Sequence, residues 1–531
     1  MHDIVLVSAN LAGFHARRDR HSSPPQGILY LAAALESRGY RVGCRDYQTA
    51  DVDDLMDVEN LAGFLETDAP VLGVGCTSDT LPLVIAATRR FKARHPSTRL
   101  ILGGHGPSEV AEPLLRAFPH VDVVARGEGE QTLLELMEND DTQWHRVLGI
   151  SYRRGKEVKS NAARPRVKNL DQLPLPAYHH LNWERYERVD VETARGCPYA
   201  CAFCSTSPFF LRRYVPRSLD GIMRELVLLA RRYGVREVFF SDDTFVVNRR
   251  RVLDLCECLR AANLGIAWGC YARVDLMDEE LMEAMARAGC FRLFYGIESG
   301  SNAILNQVHK GITIEQAEQV VSVSIRYFPK LKLGFIWGLP FETLADFEAT
   351  LQSAARFATL GPQIEIEMSL WTPFPSSPIY TQWGHLKKFS LSCVPMIGDW
   401  VPRDHDQSKT WREIIALIRT YPEVFAALYH VPHPNLEQKR DALDAQAWLV
   451  EVLVGLADAD ERFAARLRAN PEAGLRTLHL ESSPAAVWAA VEASVRLNHC
   501  PRPGIPLDKF YPLHFTDTLD ESIREIDKRD N

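Results

Sequence analysis

From the first residue onward, short apolar runs alternate with amphipathic stretches. Ile4-Val5-Leu6-Val7 has the continuous apolar character of a buried strand, and a helix is predicted through Ile28–Leu35. Arg41-Val42-Gly43-Cys44, Val71–Gly75, Leu100–Gly104 and Val121–Val124 follow at spacings that leave room for helices. This alternation predicts a doubly wound parallel sheet. Ligands of such sheets sit beyond the carboxyl ends of the strands. Glycines gather at those ends: Gly73 and Gly75, Gly103 and Gly104, Gly127 and Gly129. They suit either a close approach of backbone to a large ligand or ordinary tight turns.

A linker is predicted over 141–188, with a hairpin near Ile150–Gly155 and an extended, proline-spaced stretch at Leu173–Tyr178. Six further strand patterns alternate with helical ones: Asp190–Ala194, Glu237–Ser241, Ile266–Tyr271, Phe291–Ile297, Leu331–Trp337 and Ile364–Trp371. Repeated β-α units of this kind close into a barrel or part of one, with active groups at the strands' carboxyl ends. The remainder reads as helical, through Trp411–Tyr429, Arg440–Ala457, Ala459–Asn470 and Pro484–Asn498. The loop Tyr429–Pro434 between helices carries His430 and His433, suited to capping the barrel mouth or to packing at a junction. The expected organisation is 1–140, a Rossmann-like domain; 141–188, a linker; 189–390, a partial barrel of six units; and 391–531, a helical domain.

With 531 residues, 46% hydrophobic and 24% charged, the chain has the composition of a soluble multidomain protein. A formal net charge of −8 supplies no basic field for nucleic acid. No apolar run reaches the length of a membrane span, and the acid at Asp3 is unlike a signal peptide. Eleven cysteines, an odd number scattered widely, argue against a disulfide framework and for a reducing, cytoplasmic setting. Cys256, Cys258, Cys270 and Cys290 read as core, and Cys393 and Cys500 stand alone, so no second cluster is expected.

The chemistry concentrates in Arg195-Gly196-Cys197-Pro198-Tyr199-Ala200-Cys201-Ala202-Phe203-Cys204. Cysteines at C-x3-C-x2-C can converge on a four-iron cluster from one tight loop. Three thiolates leave one iron corner open to a chelating small molecule. The alternatives are a zinc site, which usually wants four ligands, and three incidental core cysteines. The motif, with Phe203 before the last cysteine, resembles that of radical S-adenosylmethionine (SAM) enzymes. The resemblance implies a [4Fe-4S] cluster on Cys197, Cys201 and Cys204, SAM on the open iron, and the partial barrel fold. It further implies a SAM site built from Phe203, Ser241, Asp242, Asp243, Arg273, Glu298 and Ser299. Helix capping by Asp242 or Asp243, and an ion pair between Arg273 and Glu298, are the competing readings. Later motifs depart from the family pattern. Phe341 replaces the second glycine of Gly-Leu-Pro-Gly-Glu-Thr, and Pro373-Phe374-Pro375-Ser376-Ser377-Pro378 replaces Pro-Phe-Pro-Gly-Thr-Pro.

Pro24–Ala33, Leu102-Gly103-Gly104-His105-Gly106-Pro107 and Arg126-Gly127-Glu128-Gly129-Glu130 resemble the cobalamin-binding domain that precedes many radical SAM enzymes. That resemblance implies cobalamin held by Gly75, Cys76, Thr77, Ser78, Gly103, Gly104, His105, Gly127 and Glu128. The D-x-H-x-x-G signature is missing, and the nearest string places His21 before Pro24. The implied function is reductive cleavage of SAM to a 5′-deoxyadenosyl radical and methylation of an unactivated carbon or phosphorus of a small molecule. A flavodoxin or ferredoxin would supply electrons. The alternatives are a cyclase or rearrangement enzyme with the same cofactors and, more remotely, a cobalamin or redox sensor.

Overall fold

The structure, a computed structural model, describes residues 2–11, 23–186, 188–360, 363–390 and 408–439. The chain divides into two compact units. The first holds the residues up to Ala272, with Glu283–Cys290 and Thr372–Val431; the second holds Arg273–Met282, Phe291–Trp371 and the residues from Pro432 onward.

In the first unit, strands β1 (Ile4–Ser8), β2 (Val42–Asp46), β3 (Val71–Gly75), β4 (Arg99–Gly103) and β5 (Val123–Ala125) pair in parallel. The hairpin β6 (Ile150–Arg154) and β7 (Glu157–Ser160) adds two antiparallel strands at one edge. The order β2-β1-β3-β4-β5-β6-β7 reverses direction beside β1, which opens a crevice at the carboxyl ends. Both faces are buried, as the continuous apolar strands require. Val5, Val7, Leu72, Val74, Leu100 and Leu102 point to one core, shared with α2 (Val58–Phe64) and α3 (Leu81–Arg94). Ile4, Leu6, Val71, Ile101 and Val123 point to the other, shared with α1 (Gln26–Glu36) and the helix Glu130–Glu138.

The helix Lys409–Thr420 adds Trp411, Ile414, Leu417 and Ile418 to the first of these cores. An ion pair from Arg90 on α3 to Glu413, at 2.7 Å, fastens it. A helix was expected to continue to Tyr429, but it stops at Thr420 because Pro422 disfavours helical backbone at Tyr421. His430 is buried and pairs backbone to backbone with Lys388, so it packs instead of capping a mouth. The helices expected beyond residue 440 lie outside the described residues, as does His21.

Strands β8 (Val189–Val191), β11 (Glu237–Phe240) and β12 (Ala267–Ala272) of the β-α repeat also belong to the first unit. They pair in parallel in the order β8-β11-β12. Short β9 (Ala194–Arg195) and β10 (Val215–Pro216) form an antiparallel clip around the cysteine loop. In the second unit β13 (Cys290–Glu298, from Phe291), β14 (Lys330–Trp337) and β15 (Ile364–Leu370) pair in parallel in chain order, with a bulge between Gly296 and Glu298. Cys256, Cys270 and Cys290 are buried, as expected of core cysteines.

Candidate functional site

The cysteine loop leaves β9 through Gly196, whose φ of +82° only glycine adopts without strain. A Cβ there would stand 2.3 Å from the Arg213 carbonyl. The Ser207 hydroxyl donates to the carbonyls of Cys197, at 3.1 Å, and Tyr199, at 2.6 Å, and so closes the loop on itself. Ile379 N–H donates to the Ala202 carbonyl at 3.1 Å. The sulfur of Cys197 lies 3.5 Å from Thr244 Oγ1, and that of Cys204 accepts from Ser207 N–H at 3.5 Å. Burial pushes the Cys204 thiol up, and the neighbouring Cys201 and Cys197 sulfurs push it the same way. The three are thus electrostatic neighbours.

Arg195, directly before the loop, is the centre of a buried ionic network. Its guanidinium reaches Glu130 at 2.8 Å, Glu192 at 2.8 Å and Glu128 at 3.2 Å. Glu128 also pairs with Arg166 at 3.0 Å and accepts from Val167 N–H at 2.8 Å. Glu128, expected to hold cobalamin, instead ties the turn after β5 to the cysteine loop. Nothing local in the sequence marks this arrangement, because Glu128 and Arg195 are 67 residues apart. A second buried set joins Tyr178 to Glu225 at 2.5 Å and Glu225 to Arg217.

Asp242 and Asp243, adjacent in sequence, have different roles. Asp242 accepts from Thr193 N–H at 2.6 Å, Thr193 Oγ1 at 2.5 Å and Ala194 N–H at 3.0 Å. It therefore braces the chain leading into the cysteine loop and is not free for a ligand ammonium; nor is it a helix cap. Asp243 is pushed up to about 7 by burial and by the charges of Asp242 and Glu192. Ser241 is held by its backbone to Val191, and Phe203 is partly buried within the loop.

The cobalamin-side residues also divide. Cys76 is packed in the apolar core, so its thiol is not presented to a ligand. Gly104, at φ +94°, would place a Cβ 2.6 Å from the Cys76 carbonyl, and Gly106 would place one 2.7 Å from Thr77. These glycines let two loops lie backbone against backbone. His105 stacks on Phe209, ring centres 3.9 Å apart, and burial lowers it to about 4. It is a packing residue against the segment that follows the cysteine loop. Gly75 and Gly103 would accept a Cβ at ordinary contact distance, while Gly127, at φ +75°, faces open space. Thr77 Oγ1 reaches Asn10 at 3.4 Å, and Ser78 follows it in the loop after β3. In the same loop Asp79 Oδ1 and Thr80 Oγ1 are buried without a partner. Such orphaned polar atoms at the carboxyl end of a central strand fit a large, amide-rich ligand. Ser376, at the departure from the usual Pro-Phe-Pro-Gly motif, donates to Glu109 of α4 (His105–Glu109) at 2.5 Å, a pairing the sequence does not announce.

In the second unit, Arg273 bonds Asp275 at 2.9 Å and the Lys310 carbonyl at 2.5 Å. Glu298 has a left-handed φ of +74° and pairs with Lys310 at 2.6 Å. A residue other than glycine held there is the kind of strain that gathers at working sites. Ser299 is fully buried and shares a 3.0 Å hydrogen bond with Thr350, so it braces the strand end. His433 stands edge-on to Trp337 and is buried as packing.

A doubly wound sheet, a β-α repeat and a three-cysteine loop after the repeat's first strand define an iron–sulfur α/β enzyme. Residues 191–354 match the Radical SAM superfamily, and residues 19–137 match the B12 binding domain. An uncharacterized methyltransferase of Pyrococcus horikoshii is 30% identical over 368 residues, 68% of this chain and 78% of that protein. An anaerobic magnesium-protoporphyrin IX monomethyl ester cyclase of Rubrivivax gelatinosus is 30% identical over 381 residues, 68% of this chain and 66% of that protein. The structure of the radical SAM methyltransferase TsrM from Kitasatospora setae, with cobalamin and [4Fe-4S] cluster bound, superposes with a TM-score of 0.59 at 18% identity. It covers 72% of this chain and 78% of its own. The chain belongs to the radical SAM enzymes that carry a cobalamin-binding domain, whose cofactors are a [4Fe-4S] cluster, SAM and cobalamin. Among the described residues no helix is long and apolar enough to cross a membrane.

Proposed function

We propose that this radical SAM enzyme methylates an unactivated carbon or phosphorus of a small-molecule substrate, with electrons from a flavodoxin or ferredoxin. The observation that carries the reading is the Arg195 network. One guanidinium holds the turn after β5 of the cobalamin-type sheet and the start of the cysteine loop together. Cofactors on those two loops would share one water-poor space. The name of the Pyrococcus horikoshii relative supports methyl transfer.

When bound, the cluster and SAM supply one-electron cleavage chemistry, and cobalamin supplies a carried methyl group. The chain's residues do the positioning. Cys197, Cys201 and Cys204 would hold the cluster, with Ser207 and Gly196 fixing the loop's shape. Thr77, Ser78, Asp79 and Thr80, with Gly75, Gly103, Gly104 and Gly127, would line the cobalamin side. Asp243 and Ser241, with Phe203, would serve the SAM side in the first unit. Asp243, raised to about 7, keeps a proton on its carboxyl until neutral pH, and so can donate as well as accept there.

The experiment is anaerobic turnover with SAM carrying a deuterated methyl group, followed by product mass spectrometry against candidate metabolites. Methyl transfer adds the labelled methyl. The Rubrivivax gelatinosus relative favours a second reading, oxidative ring closure, which would give products lacking the label and poorer in hydrogen.

A further inference from the structure

Away from the cysteine loop, a second set of metal-binding side chains comes together in the first unit. Glu36, the last residue of α1, meets His179 and His180 of the linker. Glu36 Oε1 is 2.7 Å from His180 Nε2 and 3.2 Å from His179 Nε2. The ligand atoms of all three lie within 4.8 Å of one another. Bonds of about 2.0–2.2 Å from a tetrahedral ion to imidazole nitrogen and carboxylate oxygen place neighbouring ligands about 3.4 Å apart, close to the Glu36–His179 spacing and wider than Glu36–His180, so an ion would enter by a small outward turn of these side chains.

The electrostatics ask for a cation. A carboxylate at a helix C-terminus meets the negative end of the macrodipole, which is unfavourable, and the last turn of α1 carries no basic residue. Two imidazoles provide nitrogen donors but, when neutral, no compensating charge. Close by, a cavity of about 220 Å³ is lined by His180, Cys44, Asp46 and Tyr186. The charges of Asp46 and Glu36, added to burial, push the Cys44 thiol up to about 12, so the surroundings are anionic as well. Arg45 also lines this cavity, but its guanidinium donates to the carbonyls of Phe64 and Glu66.

We propose that Glu36, His179 and His180 bind a divalent first-row transition metal of the zinc class, with further coordination completed by water. Two imidazoles and a carboxylate are a donor set that such ions prefer. The ion would staple the linker to α1, where the chain leaves the first sheet for the β-α repeat. It is separate from the cluster site and needs no thiolate.

The test uses the full chain with its cluster reconstituted and its iron counted, then equilibrated with zinc chloride and passed through a desalting column. Elemental analysis should find a single zinc retained per chain. Zinc should be lost in Glu36→Gln and in the double variant His179→Ala/His180→Ala, with iron content unchanged. The zinc X-ray absorption spectrum of the wild type should show imidazole and oxygen ligands and no sulfur shell. Glu36→Gln keeps size and hydrogen bonding, so it decides the matter should the histidine variant misfold. Zinc absent from the cluster-loaded wild type, equal retention in Glu36→Gln, or a sulfur shell at the metal would overturn the proposal.

Discussion

Two loops in the first unit, one after β4 and one bearing the cysteines, are held by opposite means. The first lies backbone on backbone: Gly104 and Gly106 have no side chain, and the 76–78 segment occupies the space where a Cβ would go. The second is held by charge and hydroxyl groups. Arg195 is anchored by three carboxylates, Asp242 braces Thr193 and Ala194, and Ser207 closes the turn. The first arrangement depends on shape and tolerates no added atom. The second depends on complete pairing, because a buried charge that loses its partner is costly. The loop after β4 is thus fixed mainly by the close fit of backbone, the cysteine loop mainly by ionic and hydroxyl pairing.

Breaking the ionic side should have the largest effect. Arg195→Met leaves Glu128, Glu130 and Glu192 without their shared cation and should cost about 3–5 kcal/mol in urea unfolding. Adding Glu128→Gln should recover part of that loss; purely additive costs would show that the network is not coupled.

Breaking the shape side should cost somewhat less. Gly104→Ala meets the Cys76 carbonyl at 2.6 Å and requires φ of +94°, so about 2–4 kcal/mol should be lost. Gly127→Ala is the control, since it carries the conformational strain at φ +75° with open space around it and should cost only about 1 kcal/mol.

The junction between the loops should respond to pH. The His105 imidazole is held at about 4 in the folded chain, against 6.5 when free. Between pH 6.5 and 4 the unfolded chain takes up a proton that the folded chain refuses, so stability falls as pH drops through that window. The contribution is at most about 3 kcal/mol. His105→Phe keeps the stacking on Phe209 and should flatten the profile between those pH values, while an unchanged profile would show that His105 is solvated.

The smallest effect is expected at Ser376. Removing its hydroxyl in Ser376→Ala leaves both oxygens of Glu109 buried without a partner, for about 1–2 kcal/mol by thermal unfolding. No loss would mean that water replaces the hydroxyl.

The two arrangements were not equally legible in the sequence. Apolar runs such as Ile4–Val7 and Val71–Val74, with glycines at their ends, announce a buried parallel sheet because periodicity and chain punctuation are local properties. The cysteine spacing is local too. Asp242 shows where this stops: an acid at a strand mouth reads as a ligand, yet its oxygens are taken by Thr193 and Ala194, 49 and 48 residues earlier. Glu128, His105 and Ser299 make the same point, since each is engaged by a partner that only the fold brings near. The end of the helix at Thr420 was readable from Pro422 and was overlooked because the apolar pattern runs on to Tyr429.

The most direct measurement is anaerobic reconstitution of the full chain with iron, sulfide and cobalamin, followed by desalting, a visible spectrum and assay for 5′-deoxyadenosine. The wild type should retain cobalamin and cluster and form deoxyadenosine from SAM under a strong reductant. Cys197→Ala should keep cobalamin but lose the cluster and all cleavage. Cobalamin washing out of the wild type, or deoxyadenosine still forming in Cys197→Ala, would contradict the assignment of this loop and this sheet.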